Sequence, residues 1–201
     1  TVYPGSSGVT DIEREVELGK AIHSKGVLLL TGYLGAKYAR QFPLTLSANI
    51  AMEQSYGHID GDSASLAEVC ALLSAITDIP VKQSLAVTGS INQHGQVQAI
   101  GGVNEKIEGY FRLCQSRGLT SEQGVIIPAS NQLNLVLNDD VISAVKQQKF
   151  HLYVVKTVDE ALTLLTGVEA GEKNSRGQYP KKSVNGRALV RLAEIAEIVN
   201  G

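Results

Sequence analysis

The chain has 201 residues, of which 43% are hydrophobic and 19% charged, and its formal net charge is −2. Those values suit a globular protein with one sizeable core, alone or with an appendage. They exclude a basic nucleic-acid surface, where the longest basic run is Lys181-Lys182, and apolar runs such as Val27 to Leu30 are far too short to span a bilayer.

The chain opens on Thr1-Val2-Tyr3-Pro4-Gly5, which lacks the basic and apolar regions of a signal peptide and reads as entry into the middle of a longer chain. Val27 to Leu30, bounded by Gly26 and Gly32, is predicted to be a buried strand. Leu44, Leu46, Ala48, Ile50 and Met52 alternate with smaller or polar residues, the period of a strand with one dry face. A loop broken by Gly57 and Gly61 follows, then a helix carrying Leu66, Val69, Cys70, Leu73 and Ile76 and closed by Pro80. Leu85 to Val87 and Val97, flanking His94-Gly95, read as a hairpin. Beyond Gly101-Gly102, a second helix places Val103, Ile107, Tyr110, Phe111 and Cys114 on one face and stops at Gly118.

Val125 to Ile127 is predicted to be a strand, the region of Val141 to Val145 a helix, His151 to Val155 a strand and Val158 to Leu165 a helix. Residues 168–183 read as a linker, and Leu189, Leu192, Ile195 and Ile198 as one amphipathic terminal helix. Strands and helices in this mixture imply an α+β or mixed α/β domain. Cys70 and Cys114 fall on apolar faces, as buried thiols of a reducing cytoplasm would. The four histidines, His23, His58, His94 and His151, show no metal-ligand spacing, and no phosphate-binding loop signature occurs.

Two short motifs carry chemistry. Asp60-Gly61-Asp62-Ser63-Ala64-Ser65 lies between a glycine-broken loop and a helix. Small neighbours there leave a serine hydroxyl reachable, and unpaired first-turn N–H groups can stabilise an oxyanion. The plainer reading makes Ser63, Ser65 or Asp62 a helix cap, and Ser65-Leu66-Ala67-Glu68 fits a capping box by itself. A serine nucleophile needs a base. Neither His58 nor His94 is placed by periodicity to face Ser63. Lys106 borders the apolar face of the second helix, where partial burial would favour its neutral form. Its plainer role is a snorkelling surface lysine.

Taken together, these residues resemble the proteolytic domain of Lon proteases. Asp60 to Ser65 resembles the family's nucleophile motif. Val87-Thr88-Gly89-Ser90, Gly95, and Ile100-Gly101-Gly102-Val103-Asn104-Glu105-Lys106 resemble its lysine motif. The 43-residue separation of Ser63 and Lys106 is also similar. Ser65, where many bacterial Lon enzymes carry glycine, is similar to the archaeal membrane-type branch and related bacterial Lon-like proteins.

The resemblance runs over roughly residues 8–167, and it implies a compact α+β serine-protease domain at residues 1–167, with residues 168–201 as linker and helix. It implies a Ser63–Lys106 dyad, Thr88 near the lysine and Asp60 near the entrance. Asp60 or Asp62 beside a protonated Lys106 would oppose its deprotonation, which suits gating better than catalysis. The resemblance further implies a homo-hexameric ring, a cytoplasmic setting and unfolded, tagged or regulatory proteins as substrates. ATP and Mg2+ would belong to an attached ATPase portion, and no cofactor or metal is expected in this chain. Two other readings compete: a non-catalytic Lon-like module, which has no reason to keep both Ser63 and Lys106, and a Ser–His hydrolase using His58.

Overall fold

The computed structural model describes residues 1–200. Three small sheets and a shell of helices make an α+β fold. Strands β1 (Val2–Pro4) and β2 (Gly8–Asp11) flank β3 (Leu46–Ile50), the first antiparallel and the second parallel. A short helix α1 (Ile12–Glu15) leaves β2, and α2 (Ala21–Tyr38) returns the chain to β3. Helix α3 (Ser65–Thr77) follows the glycine-broken loop and ends at Asp78, whose φ of 53° supplies a left-handed cap.

The second sheet is parallel throughout, in the order β4 (Leu85–Val87), β7 (Gly124–Pro128), β8 (His151–Val155). Between β4 and β7 run a two-stranded ribbon, β5 (Ser90–Ile91) with β6 (Val97–Gln98), and then α4 (Val103–Arg117). A 3-10 helix (Ala129–Asn134) and α5 (Asp139–Lys146) join β7 to β8, and α6 (Val158–Thr166) follows. Helix α7 (Val184–Asn200) ends the described chain.

The central strand β7 is buried from end to end, which is why Gly-Val-Ile-Ile-Pro reads as an unbroken apolar run. Its alternating side chains feed two cores. Ile126 packs into the larger one, with Leu30 and Leu34 of α2, Leu66 and Leu73 of α3, Leu162 of α6 and Leu192 of α7. Val125 and Ile127 point to the smaller one, with Ile107 and Phe111 of α4, Val141 of α5 and Phe150. Cys70 and Cys114 are free and buried, and burial pushes the Cys70 thiol up to about 12. Among the described residues no helix is long and apolar enough to cross a membrane.

Two expectations need correction. The run Val27 to Leu30 lies inside α2, an 18-residue helix, and is not a strand. Apolar and small residues surround this helix, so no helical stripe marks it. The two glycines taken as strand boundaries are instead close-packing points. A β-carbon at Gly26 would sit 3.3 Å from the Asp62 Cβ, and one at Gly32 would sit 2.9 Å from Gln93 Nε2. The predicted hairpin is also displaced. Leu85 to Val87 pairs with β7, whereas the strand that meets Val97 is Ser90–Ile91.

Candidate active site

The turn that carries Ser63 is built by backbone hydrogen bonds. Gly89 N–H donates to the Ser63 carbonyl at 2.9 Å, and Leu66 N–H donates to the Gly89 carbonyl at 3.1 Å. Gly89 must come close to do both, because a β-carbon there would meet Leu66 Cδ2 at 2.9 Å and Val97 Cγ1 at 3.1 Å. Thr88 N–H in turn donates to the Ile126 carbonyl, which fixes the turn to the parallel sheet. The N–H groups of Ser63 and Ala64 take no hydrogen-bond partner among the described residues.

The capping box of the plainer reading does not form. Helix α3 has Ala64 as its N-cap, with no side-chain cap. Ser65 Oγ donates to the Asp62 carbonyl at 2.8 Å and accepts from Ile91 N–H at 3.1 Å. Glu68 turns towards His23, its Oε1 lying 3.7 Å from the ring Nδ1. The reason is burial: Ser65 and Glu68 are only 1% and 5% exposed, and both side chains face the packed interior, towards Ile91 and His23, and not the helix end. Burial and the nearby Asp11 and Glu13 carboxylates push the Glu68 carboxyl up to about 7, against the opposing pull of His23.

Helix α4 starts at Gly102, whose φ of 68° reverses the chain, and Lys106 N–H donates to the Gly102 carbonyl. Val103 and Ile107 are buried in the smaller core and set the rotation of the helix. Lys106 thereby projects over the edge of β4. Its Nζ donates to Ser63 Oγ at 2.8 Å and to Thr88 Oγ1 at 3.3 Å. Although Lys106 is exposed along much of its length, partial burial of the amine lowers its pKa, and the Asp62 carboxylate opposes that shift.

Asp62 does not reach Lys106 by hydrogen bond. Its Oδ2 accepts from Ser90 Oγ at 2.8 Å. Asp60 is exposed, and its Oδ1 accepts from Gly61 N–H at 2.8 Å. His58 and His94 are exposed, and among the described residues neither is hydrogen-bonded to Ser63.

Three side chains support the site in roles that the sequence did not show. Ser90 holds the Asp62 carboxylate, and Ser65 ties the turn to β5. Asn131 donates to the Ile100 carbonyl and accepts from the Ile100 N–H, pinning the loop that leads into α4. In each case only the partner across the fold reveals the role.

A serine hydroxyl in contact with a partly desolvated amine, at the end of a helix with free N–H groups, has the parts needed for acyl transfer. Comparison with known proteins finds relatives named as Lon proteases or Lon protease homologues. A Lon protease homologue of Escherichia coli (strain K12) is 48% identical over 164 residues, covering 82% of this chain and 28% of that protein. One from Haemophilus influenzae is 46% identical over 190 residues, covering 94% of this chain and 31% of that protein. An archaeal Lon protease from Methanocaldococcus jannaschii is 41% identical over 116 residues, covering 58% of this chain and 15% of that protein. The chain thus spans less than a third of the length of these relatives. Residues 47–167, more than half of the chain and including both Ser63 and Lys106, match the Lon protease (S16) C-terminal proteolytic domain, and the chain belongs to that family.

Proposed function

We propose that this chain is the serine-endopeptidase domain of an ATP-dependent protease, with Ser63 as nucleophile and Lys106 as general base. The observation that carries this reading is the 2.8 Å separation of Lys106 Nζ and Ser63 Oγ. Neutral Lys106 accepts the Ser63 proton as Oγ attacks a peptide carbonyl carbon. The free N–H groups of Ser63 and Ala64 are the nearest candidates to hold the resulting oxyanion. Protonated Lys106 gives its proton to the leaving amine as the C–N bond breaks, leaving an ester on Ser63. Lys106 then takes a proton from water, the hydroxide attacks the ester, and Ser63 recovers its proton.

Thr88 is a positioning residue, since its hydroxyl accepts from the Lys106 amine at 3.3 Å. Asp62, held by Ser90, favours the ammonium and so acts against the base. That supports a gating role for Asp62, with Asp60 on the exposed loop at the entrance. Unfolded, tagged or regulatory proteins are the substrates that suit the family, and two free thiols suit a cytoplasmic setting. No phosphate-binding loop occurs in this sequence, so ATP and Mg2+ are assigned to another part of the protein and no step runs through them here. A fluorophosphonate probe is expected to label Ser63 and no other serine, read by mass spectrometry of the digested chain. Absence of labelling, or labelling elsewhere, counts against the nucleophile.

Assembly into a homo-hexameric ring belongs to the same proposal. A ring would enclose the sites and keep folded proteins out. Sedimentation of the full-length protein is expected to give a hexamer, and a strict monomer at micromolar concentration would remove this part of the reading.

A further inference from the structure

A second polar cluster lies behind the nucleophile turn. Asp11, Glu13, His23 and Glu68 are 5%, 4%, 1% and 5% exposed. Both Asp11 carboxylate oxygens, Glu13 Oε2, His23 Nε2 and Glu68 Oε1 are buried with no hydrogen-bond partner. Every such atom found among the described residues belongs to this one cluster. A buried polar atom left unpaired costs about 1–3 kcal/mol, and more when charged. Their concentration in one place therefore calls for a ligand that satisfies them together.

The geometry is that of a coordination site. One ligand atom from each of Asp11, Glu13 and His23 can be chosen so that all lie within 4.8 Å of one another. His23 Nε2 lies 3.4 Å from Asp11 Oδ1, while the other ring nitrogen faces Glu68. An imidazole with one nitrogen towards a ligand set and a carboxylate behind the other is the usual disposition of a metal-bound histidine. Glu13 is held in place from its far side, where Oε1 accepts from Met52 N–H.

We propose that Asp11, Glu13 and His23 bind a divalent transition cation of the Zn2+ or Mn2+ type, with Glu68 orienting the His23 ring. Two carboxylates and an imidazole suit these ions, whereas Ca2+ and Mg2+ favour all-oxygen sets. A divalent charge also offsets a group of buried carboxylates that a single imidazolium would leave in excess. The ligands come from the end of β2, from α1 and from the first turn of α2, with Glu68 in the first turn of α3. The cation would tie these elements together. His23 stands three residues before Gly26, which packs against Asp62, so the site lies directly behind the Ser63 turn.

The test uses the 201-residue chain, first dialysed against a chelator and then against ZnCl2, MnCl2 or MgCl2. Elemental analysis is expected to find one equivalent of Zn2+ or Mn2+, with the unfolding temperature raised by about 5 °C or more. Mg2+ should give neither, and bound Co2+ should show visible d–d absorption. His23→Gln and Asp11→Asn should abolish uptake, while His58→Gln and His94→Gln should retain it. No stoichiometric uptake by the wild-type chain, an equal response to Mg2+, or uptake surviving in a folded His23→Gln variant would overturn the proposal. The wild-type arms decide the matter even where His23→Gln does not fold. All readouts are independent of peptidase activity, so failure here leaves the Ser63–Lys106 reading standing.

Discussion

Lys106→Arg is expected to lose acylation of Ser63 by on the order of 10³-fold, with the fold intact. Arginine keeps the charge and most of the length but does not deprotonate near neutrality, so it can hydrogen-bond to Ser63 without accepting its proton. A surface lysine whose only task is solvation would tolerate the change. His58→Ala and His94→Ala should retain most activity, because neither ring touches Ser63. The pH profile carries the same information. Burial lowers the Lys106 pKa, so its neutral, proton-accepting fraction grows from a lower pH than for a free lysine. Wild-type acylation should therefore climb with pH and level off above the pKa of Lys106. Asp62 opposes the shift, so Asp62→Asn should move that limb towards lower pH. The measurement is single-turnover acylation by an activated ester across pH. Near-normal acylation in Lys106→Arg, or its loss in a folded His58→Ala, would overturn the lysine mechanism even if Ser63 survived as nucleophile.

Ser63→Ala is expected to remove peptide hydrolysis to background, a loss of at least about 10³-fold, while thermal stability changes by no more than about 1 kcal/mol. The asymmetry follows from how the turn is held. The Ser63 carbonyl is fixed by Gly89 N–H, and the hydroxyl contributes only its contact with Lys106. Deleting Oγ therefore takes away the attacking atom and leaves the scaffold. Cleavage of casein or a fluorogenic peptide, measured beside thermal unfolding, checks both halves. Full hydrolysis in the variant would exclude Ser63 as nucleophile.

Much of this site was legible in the sequence because its residues sit in two contiguous motifs. Asp60 to Ser65 and Ile100 to Lys106 each carry their own glycines, and the chain order of the motifs is preserved in the fold. Helix α4 was legible because it keeps a wet face beside a dry one, and α3 because Leu66, Val69, Cys70, Leu73 and Ile76 recur at helical spacing. Helix α2 was not, since apolar Ile22 and Leu28 stand on its exposed side and blur the period. The capping box failed for a related reason. Ser65-Leu66-Ala67-Glu68 has the right letters, but the buried start of α3 sends Ser65 to Ile91 and Glu68 to His23. The cluster of Asp11, Glu13, His23 and Glu68 left no trace in spacing. Its members come from β2, α1, α2 and α3, and the packing of α2 against β2 and α3 brings them together.

Ser63 and Lys106 belong to opposite sides of the β4–β7–β8 sheet. The serine precedes α3, which packs in the larger core, and the lysine rides on α4, which packs in the smaller. The proposed pair thus straddles a seam, joined over the rim of β4 by side chains alone. A slip of about 1 Å between the two layers would separate the atoms without distorting either one, and a misplacement of that size can cost roughly 100-fold in rate.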